Sequence, residues 1–245
     1  MSEEDELQIQ LRENLTSLEQ RIRAACTRAG RLRSDVQLVA VTKSVSLSVA
    51  MALHRCGQRH LGENRPQQLV ERARAMQEKG ASSQTLEAPH WHLIGQLQSN
   101  KIRSVLPWTT MIHSVDSFRQ LQRISRVAEE LSFCPRVLLQ VNISGEASKS
   151  GFDPNVIRSE WRNLLRVSHV ELAGLMTMAP LTEEEADIRH SFRGLRELRD
   201  ELREMTPEWP GTELSMGMSH DFEIAIEEGA TLVRIGSLLF AGCGA

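Results

Sequence analysis

What most constrains the fold of this chain is an alternation. Short apolar runs of strand character recur, each followed by a small or polar loop and then by a stretch with apolar residues at helical spacing. The runs cover 36–41, 60–62, 92–95, 111–114, 137–143, 172–176, 213–216 and 232–235. Between them, Phe118, Leu121, Ile124, Ala128 and Leu131 mark one helix face, and Ile188, Phe192, Leu195 and Leu202 mark another. Such alternation implies a parallel sheet covered by helices. Eight units in 245 residues favour an α/β fold of the closed (β/α)8 TIM-barrel type, as a single domain, over an open doubly wound sheet. No Gly-x-Gly-x-x-Gly follows the first strand, which removes the main ground for a dinucleotide fold. Ahead of the barrel, Leu7, Leu11, Leu15, Leu18, Ile22, Ala25 and Ala29 form the stripe of an extra N-terminal amphipathic helix that Gly30 ends. The expected organisation is an N-terminal helix at 1–35 packed on a barrel at 36–245.

Composition narrows the partners. The hydrophobic fraction of 40% supplies a full core, and a formal charge of −3 without any basic run argues against a nucleic-acid surface, leaving small molecules. The segment MSEEDELQIQ is acidic where a secretory signal is basic and then apolar, and no apolar run approaches about 18 residues, so no membrane association and a cytoplasmic location are expected. Cys26, Cys56, Cys134 and Cys243 stand singly, which suggests neither a zinc site nor a disulfide framework. Lysine is scarce: Lys43, Lys79, Lys101 and Lys149 are four among 29 basic residues. Arginine serves wherever charge is enough but cannot form an imine, whereas a desolvated lysine can. Lys79 has a plain explanation in a Lys-Gly helix end.

In such a barrel the active groups gather at the carboxyl ends of the strands. Lys43 ends the first strand and is either a desolvated amine suited to an imine or a solvated loop lysine. In Ser215-Met216-Gly217-Met218-Ser219-His220-Asp221, Gly217 permits close backbone approach and Ser219 is placed to cap the helix carrying Ile224 and Ile226, exposing amides that suit a phosphate; simple caps and turns are the alternative. Gly236-Ser237 offers a second cradle, and phosphate binding after strands seven and eight is a recurrent barrel arrangement. Arg234 shares the pleat face of Gly236 and, buried there, needs an acceptor: a pyridine nitrogen, or a structural carboxylate such as Glu213. Glu63 is a candidate acid or base. His90 and His92 lie two apart, but no third ligand has convincing spacing, so no metal is expected.

The strings Val41-Thr42-Lys43, Leu61-Gly62-Glu63-Asn64, Trp91 to Lys101, Ser148-Lys149-Ser150-Gly151, Gly174 to Met178, Leu214 to Ser219 and Val233-Arg234-Ile235-Gly236 resemble the YggS/PROSC family of pyridoxal phosphate homeostasis proteins. The likeness runs in order from about Val36 to Gly242. That family has the fold of the alanine racemase amino-terminal barrel as a stand-alone domain. The resemblance implies that pyridoxal 5'-phosphate is held as a Schiff base on Lys43, and that Ser219, Gly236 and Ser237, with the neighbouring amides of Gly217 and Met218, bind its phosphate. It further implies that Arg234 faces the pyridine nitrogen and that Asn64 and His92 lie near the ring. The chain departs from the family at Arg65-Pro66, where an aromatic is usual.

The function so implied is intracellular cofactor homeostasis: binding, buffering or delivery of pyridoxal phosphate, with apo-enzymes as recipients and without rapid turnover. The alternatives are an amino-acid racemase and a class I aldolase. The racemase that this barrel resembles takes a second base from a tyrosine of an additional domain, and this chain has no tyrosine. An arginine at the pyridine nitrogen also makes the ring a weaker electron sink than a carboxylate would. For the aldolase, Lys43 must arrive free, and no proton shuttle beside it is identifiable. Lacking the domain that completes the racemase dimer, the chain is expected to be a monomer.

Overall fold

The computed structural model describes residues 3–80, 87–146 and 150–243. Eight parallel strands close in chain order into a barrel: β1 (Gln37–Val41), β2 (His60–Glu63), β3 (His90–Leu93), β4 (Met111–Val115), β5 (Arg136–Gln140), β6 (Glu171–Met176), β7 (Glu213–Ser215) and β8 (Leu232–Ile235). The last returns to the first, with Ala40 opposite Ile235. This is the TIM barrel that the alternation called for.

Most strand limits agree with the runs read from sequence to within one residue, and the larger departures, at β3 and β5, have local reasons. β3 begins at His90, because His90 pairs with His60 and its N–H reaches the Arg59 carbonyl. β5 stops at Gln140, where Val141 bridges to Phe152 and the Asn142 N–H is taken by the Phe152 carbonyl.

The helices are α1 (Glu3–Arg28), α2 (Leu47–Arg55), α3 (Pro66–Gly80), α4 (Ile102–Val105), α5 (Phe118–Leu131), α6 (Pro154–Leu165), α7 (Glu185–Met205) and α8 (Phe222–Glu227). Their ends follow ordinary capping chemistry. The Ser117 hydroxyl accepts from the Gln120 N–H at the start of α5, whose stripe Leu121, Ile124 and Ala128 is buried, and Ser132 ends it in the left-handed region at φ 57°. Asp153 caps α6 ahead of Pro154.

Among the described residues no helix follows β8, and α1 takes that place. It packs against both α8 and α2, burying Leu11, Leu18, Ile22 and Ala25. Asn14 holds the chain after β8 through the carbonyls of Leu239 and Ala241, both at 2.9 Å. The N-terminal helix ahead of the barrel therefore closes its outer ring between α8 and α2.

Strand residues facing the helices (Leu61, Trp91, Ile112, Leu139, Leu175, Val233) join one large apolar core. The apolar part of the barrel interior is small: Val39, Met111, Leu138, Ala173, Met176 and Leu232. The register of β5 on β6 shifts beside Gly174, which itself lies so close to β7 that a Cβ there would fall 2.0 Å from the Glu213 carbonyl oxygen. Much of the remaining interior is polar, including His92, His113, Gln140, Ser215 and Arg234, and such groups are tolerable only when hydrogen-bonded.

Candidate functional site

Lys43 stands two residues beyond β1 with its side chain exposed. The desolvated amine envisaged from sequence is not produced by the protein's own packing. Only a molecule bound over Lys43 would desolvate it. The turn carrying Lys43 is nonetheless fixed. Arg72 of α3, buried beneath it, donates to the Thr42 carbonyl at 2.8 Å and to the Val45 carbonyl, which brackets the lysine. The same guanidinium meets Glu63 Oε1 at 2.8 Å, and the Thr42 hydroxyl donates to that oxygen at 2.5 Å. Burial pushes the Glu63 carboxyl up, against the pull of Thr42 and Arg72. The residue considered as an acid or base is thus a fully buried brace behind the site. Asn64, next in sequence, is half-buried; its carbonyl lies so near Gly95 that a Cβ there would fall 2.2 Å from it, so the loops after β2 and β3 meet.

Across the mouth, the loops after β7 and β8 come together. Gly217 has φ +92°, and a Cβ on it would come within 2.6 Å of the Ala225 Cβ, so glycine is required there. The Met218 N–H donates to Asp221 Oδ1 at 2.5 Å. Ser219 does not cap α8 as sequence suggested. Asp221 occupies the N-cap position, and the Ser219 hydroxyl accepts from the Gly236 N–H at 3.3 Å, tying the two loops. Local capping grammar misassigned Ser219 because its partner is seventeen residues away. Ser237 follows and is exposed. Gly236 lies against β1, where a Cβ would be 3.1 Å from the Val41 carbonyl oxygen. The ends of β1, β7 and β8 therefore form one rim carrying Lys43, Gly217, Met218, Ser219, Gly236 and Ser237. Asp221, which sequence reading did not single out, is fully buried there, and burial pushes its carboxyl up; among the described residues Oδ2 has no hydrogen bond, although His220 Nε2 lies 3.2 Å away.

Arg234 projects into the barrel just below this rim. Glu213 is not its partner: that carboxylate meets Arg136 at 3.4 Å and accepts from the Thr231 hydroxyl at 2.6 Å. Arg234 donates instead to neutral oxygens, Ser215 Oγ at 2.6 Å and the Thr177 carbonyl at 3.1 Å, and forms no ion pair among the described residues. Burial lowers its pKa to about 10.

His92 is enclosed in the barrel and not in its mouth. Its two ring nitrogens meet His60 Nδ1 at 2.9 Å and His113 Nε2 at 2.8 Å. His113 Nδ1 in turn lies 2.8 Å from Ser215 Oγ, so His92 reaches Arg234 only through His113 and Ser215. His90 and His92 do share a face, but both nitrogens of His92 are engaged. Among the described residues no group of three His, Cys, Asp or Glu is placed to hold a metal. Ser148 and Lys149 lie outside the described residues. His60 and His113 were missed because each is an ordinary strand residue until the register sets β2, β3 and β4 side by side.

The closed parallel barrel, with its candidate groups at the carboxyl ends of β1, β7 and β8, places the chain in the class of (β/α)8 barrels. The family model for the alanine racemase N-terminal domain matches residues 14–243. The match is 40% identical over 229 residues to the pyridoxal phosphate homeostasis protein of Aquifex aeolicus, covering 93% of this chain and 96% of that one. This chain belongs to the pyridoxal phosphate homeostasis protein family. Among solved structures, it resembles a protein of Bifidobacterium adolescentis at 39% identity and TM-score 0.88, covering 96% of each chain. It also resembles PipY of Synechococcus elongatus, whose structure has pyridoxal phosphate bound, at 37% identity and TM-score 0.79, covering 94% of this chain and all of that one.

Proposed function

We propose that this chain binds pyridoxal 5'-phosphate at the β1, β7 and β8 rim and serves in its intracellular homeostasis by holding, buffering or delivering it. The observation that carries this reading is Arg234: a buried guanidinium with only neutral protein acceptors, opening beneath a rim with one lysine and a two-loop hydroxyl and amide cradle. Lys43 would hold the aldehyde carbon as a Schiff base, and Arg234 would donate toward the pyridine nitrogen; Ser219, Ser237 and the Gly217 amide would take the phosphate, joined by the Met218 and Gly236 amides as these turn from Asp221 Oδ1 and the Ser219 hydroxyl that hold them in the unliganded rim. Asn64 lies beside the ring, and His92 acts on it from beneath through His113, Ser215 and Arg234. The bound group supplies an aldehyde and a conjugated ring able to take up electron density.

Arg234 keeps the ring nitrogen unprotonated and so weakens that uptake, which fits a carrier better than an enzyme. Fast racemisation is the second reading; turnover of at least about 1 s⁻¹ with amino acids would establish it. No helix among the described residues is long and apolar enough to cross a membrane. The proposal includes a cytoplasmic monomer in which the helix at 1–35 and the barrel at 36–245 act as one unit, with apo-enzymes as recipients.

The test is an absorbance titration with pyridoxal phosphate, then borohydride reduction and tryptic mass mapping. A visible band and a reduced adduct on Lys43 are expected. No band and no adduct would reject the cofactor, while an adduct on Lys101 or Lys149 would keep the cofactor and reject the site.

A further inference from the structure

Holding a cofactor at the rim does not by itself call for a row of polar side chains through the barrel. One is present. From Arg234 it runs to Ser215 (2.6 Å), His113 (2.8 Å), His92 (2.8 Å) and His60 (2.9 Å), crossing from β8 and β7 to β4, β3 and β2. It ends near the amino-terminal floor, where the half-buried His60 ring lies 4.8 Å from that of the exposed His90. We propose that Ser215, His113, His92 and His60 form a hydrogen-bond relay of fixed direction, each imidazole carrying its proton on Nε2, and that this relay positions the Arg234 guanidinium toward the ring bound above it.

Direction follows from the donor inventory. A guanidinium only donates, so Ser215 Oγ must accept from Arg234. The hydroxyl has one hydrogen, is fully buried, and has His113 Nδ1 as its other hydrogen-bonded neighbour among the described residues. A proton on His113 Nδ1 would set two donors against Ser215 and leave the hydroxyl hydrogen without an acceptor, at the cost of an unmade buried hydrogen bond. Ser215 therefore donates to Nδ1, and His113 carries its proton on Nε2. The same step repeats: His113 Nε2–H donates to His92 Nδ1, and His92 Nε2–H donates to His60 Nδ1. Electrostatics agree, because this direction turns every acceptor lone pair toward the Arg234 charge and every N–H away from it. Burial supports neutral rings throughout, depressing His60 to about 4, His92 to about 3 and His113 well below the usual imidazole range.

A guanidinium without a carboxylate needs strong neutral acceptors, and a polarised chain makes Ser215 Oγ one, since each hydrogen bond strengthens the next. Ser215 and the three histidines are positioning residues: they act on the ring through Arg234. This second half of the inference rests on the proposed binding of pyridoxal phosphate; the tautomers do not.

The experiment uses the full chain with ¹⁵N-labelled histidine. Long-range ¹H–¹⁵N spectra of the ligand-free protein at pH 7.5, with imidazoles assigned through their backbone, should show His92 and His113 as Nε2–H tautomers. A proton on His113 Nδ1, or a charged His92 or His113, overturns the relay whether or not any cofactor binds. Pyridoxal phosphate is then titrated into wild type, Ser215→Ala and Ser215→Thr. Loss of one charge-assisted hydrogen bond weakens retention in Ser215→Ala by about tenfold. The pH midpoint of the visible band should also move in that variant, with Ser215→Thr returning both to near wild type. If wild type binds but Ser215→Ala matches it in affinity and midpoint, the positioning role is wrong and the cofactor reading stands. If wild type does not bind, the cofactor reading falls and the positioning role falls with it.

Discussion

Two arginines are buried on opposite sides of the strand β1, and they are held in opposite ways. Arg72 meets a carboxylate, Glu63, and two backbone carbonyls that bracket Lys43. Arg234, inside the barrel, meets a hydroxyl and a carbonyl and no carboxylate among the described residues. A charge neutralised by its own protein is a brace, whereas a buried charge left to neutral acceptors keeps attraction in reserve for a ligand. The first fixes where the lysine stands; the second faces what the lysine would hold.

The largest expected effect comes from the neutral acceptors behind Arg234. The three relay histidines have depressed folded-state pKa values, to about 4 for His60, to about 3 for His92, and lower than usual for His113. Above pH about 6.5 folded and unfolded chains bind equal numbers of protons at these sites. As pH falls below 6.5 the unfolded chain takes up protons that the folded chain refuses, so stability falls by about 1.4 kcal/mol per pH unit for each histidine that stays neutral. Urea denaturation between pH 6.5 and 5 measures this slope, and a flat profile would mean that the interior is open to water.

The brace predicts a mutational loss of similar size. Arg72→Met strands Glu63 and takes the guanidinium donor from the Thr42 and Val45 carbonyls, the first of which keeps the Val45 N–H, and should cost about 3–5 kcal/mol. Adding Glu63→Gln should recover part of the loss. If Arg72→Met alone is neutral by urea denaturation, the pair is no brace.

A smaller effect belongs to the loop beside Arg234. Gly217 accepts the Arg234 N–H through its carbonyl at 2.9 Å while holding φ +92°. Gly217→Ala meets both backbone strain and the Ala225 side chain and should cost about 1–3 kcal/mol. A thermal scan showing no change would mean that this loop adjusts freely and is no fixed cradle.

These regions were not equally legible in sequence. All eight strands were, because each apolar run is bounded by turn residues and a closed parallel barrel needs that number. The rim was legible for the same reason: strand ends place Lys43, Gly217 and Gly236 without further information. The brace and the relay were not, since Arg72 reaches its partners from a helix and His60, His92 and His113 become neighbours only through strand register. Arg234 lies between these cases. Its place in the barrel followed from its pairing with Gly236, but its partner did not: Glu213 has the right position in sequence and is drawn off by Arg136 and Thr231.

The smallest effect on stability is the one that most sharpens the contrast. Arg234→Met removes a desolvated cation that no carboxylate meets directly, Asp221 attracting it only through space, and replaces it with an apolar chain of similar length, while leaving Ser215 Oγ and the Thr177 carbonyl without that donor. The gain from shedding buried charge opposes the cost of two unmade hydrogen bonds, so the net loss should stay within about 1–2 kcal/mol. The same substitution at Arg72 is more costly, and a matched pair of urea curves compares them directly. Retention of pyridoxal phosphate should show the reverse order, falling further for Arg234→Met, which faces the ring, than for Arg72→Met at a temperature where both remain folded. Equal losses of stability would show that Arg234 is a second brace, held for the fold and not for a ligand.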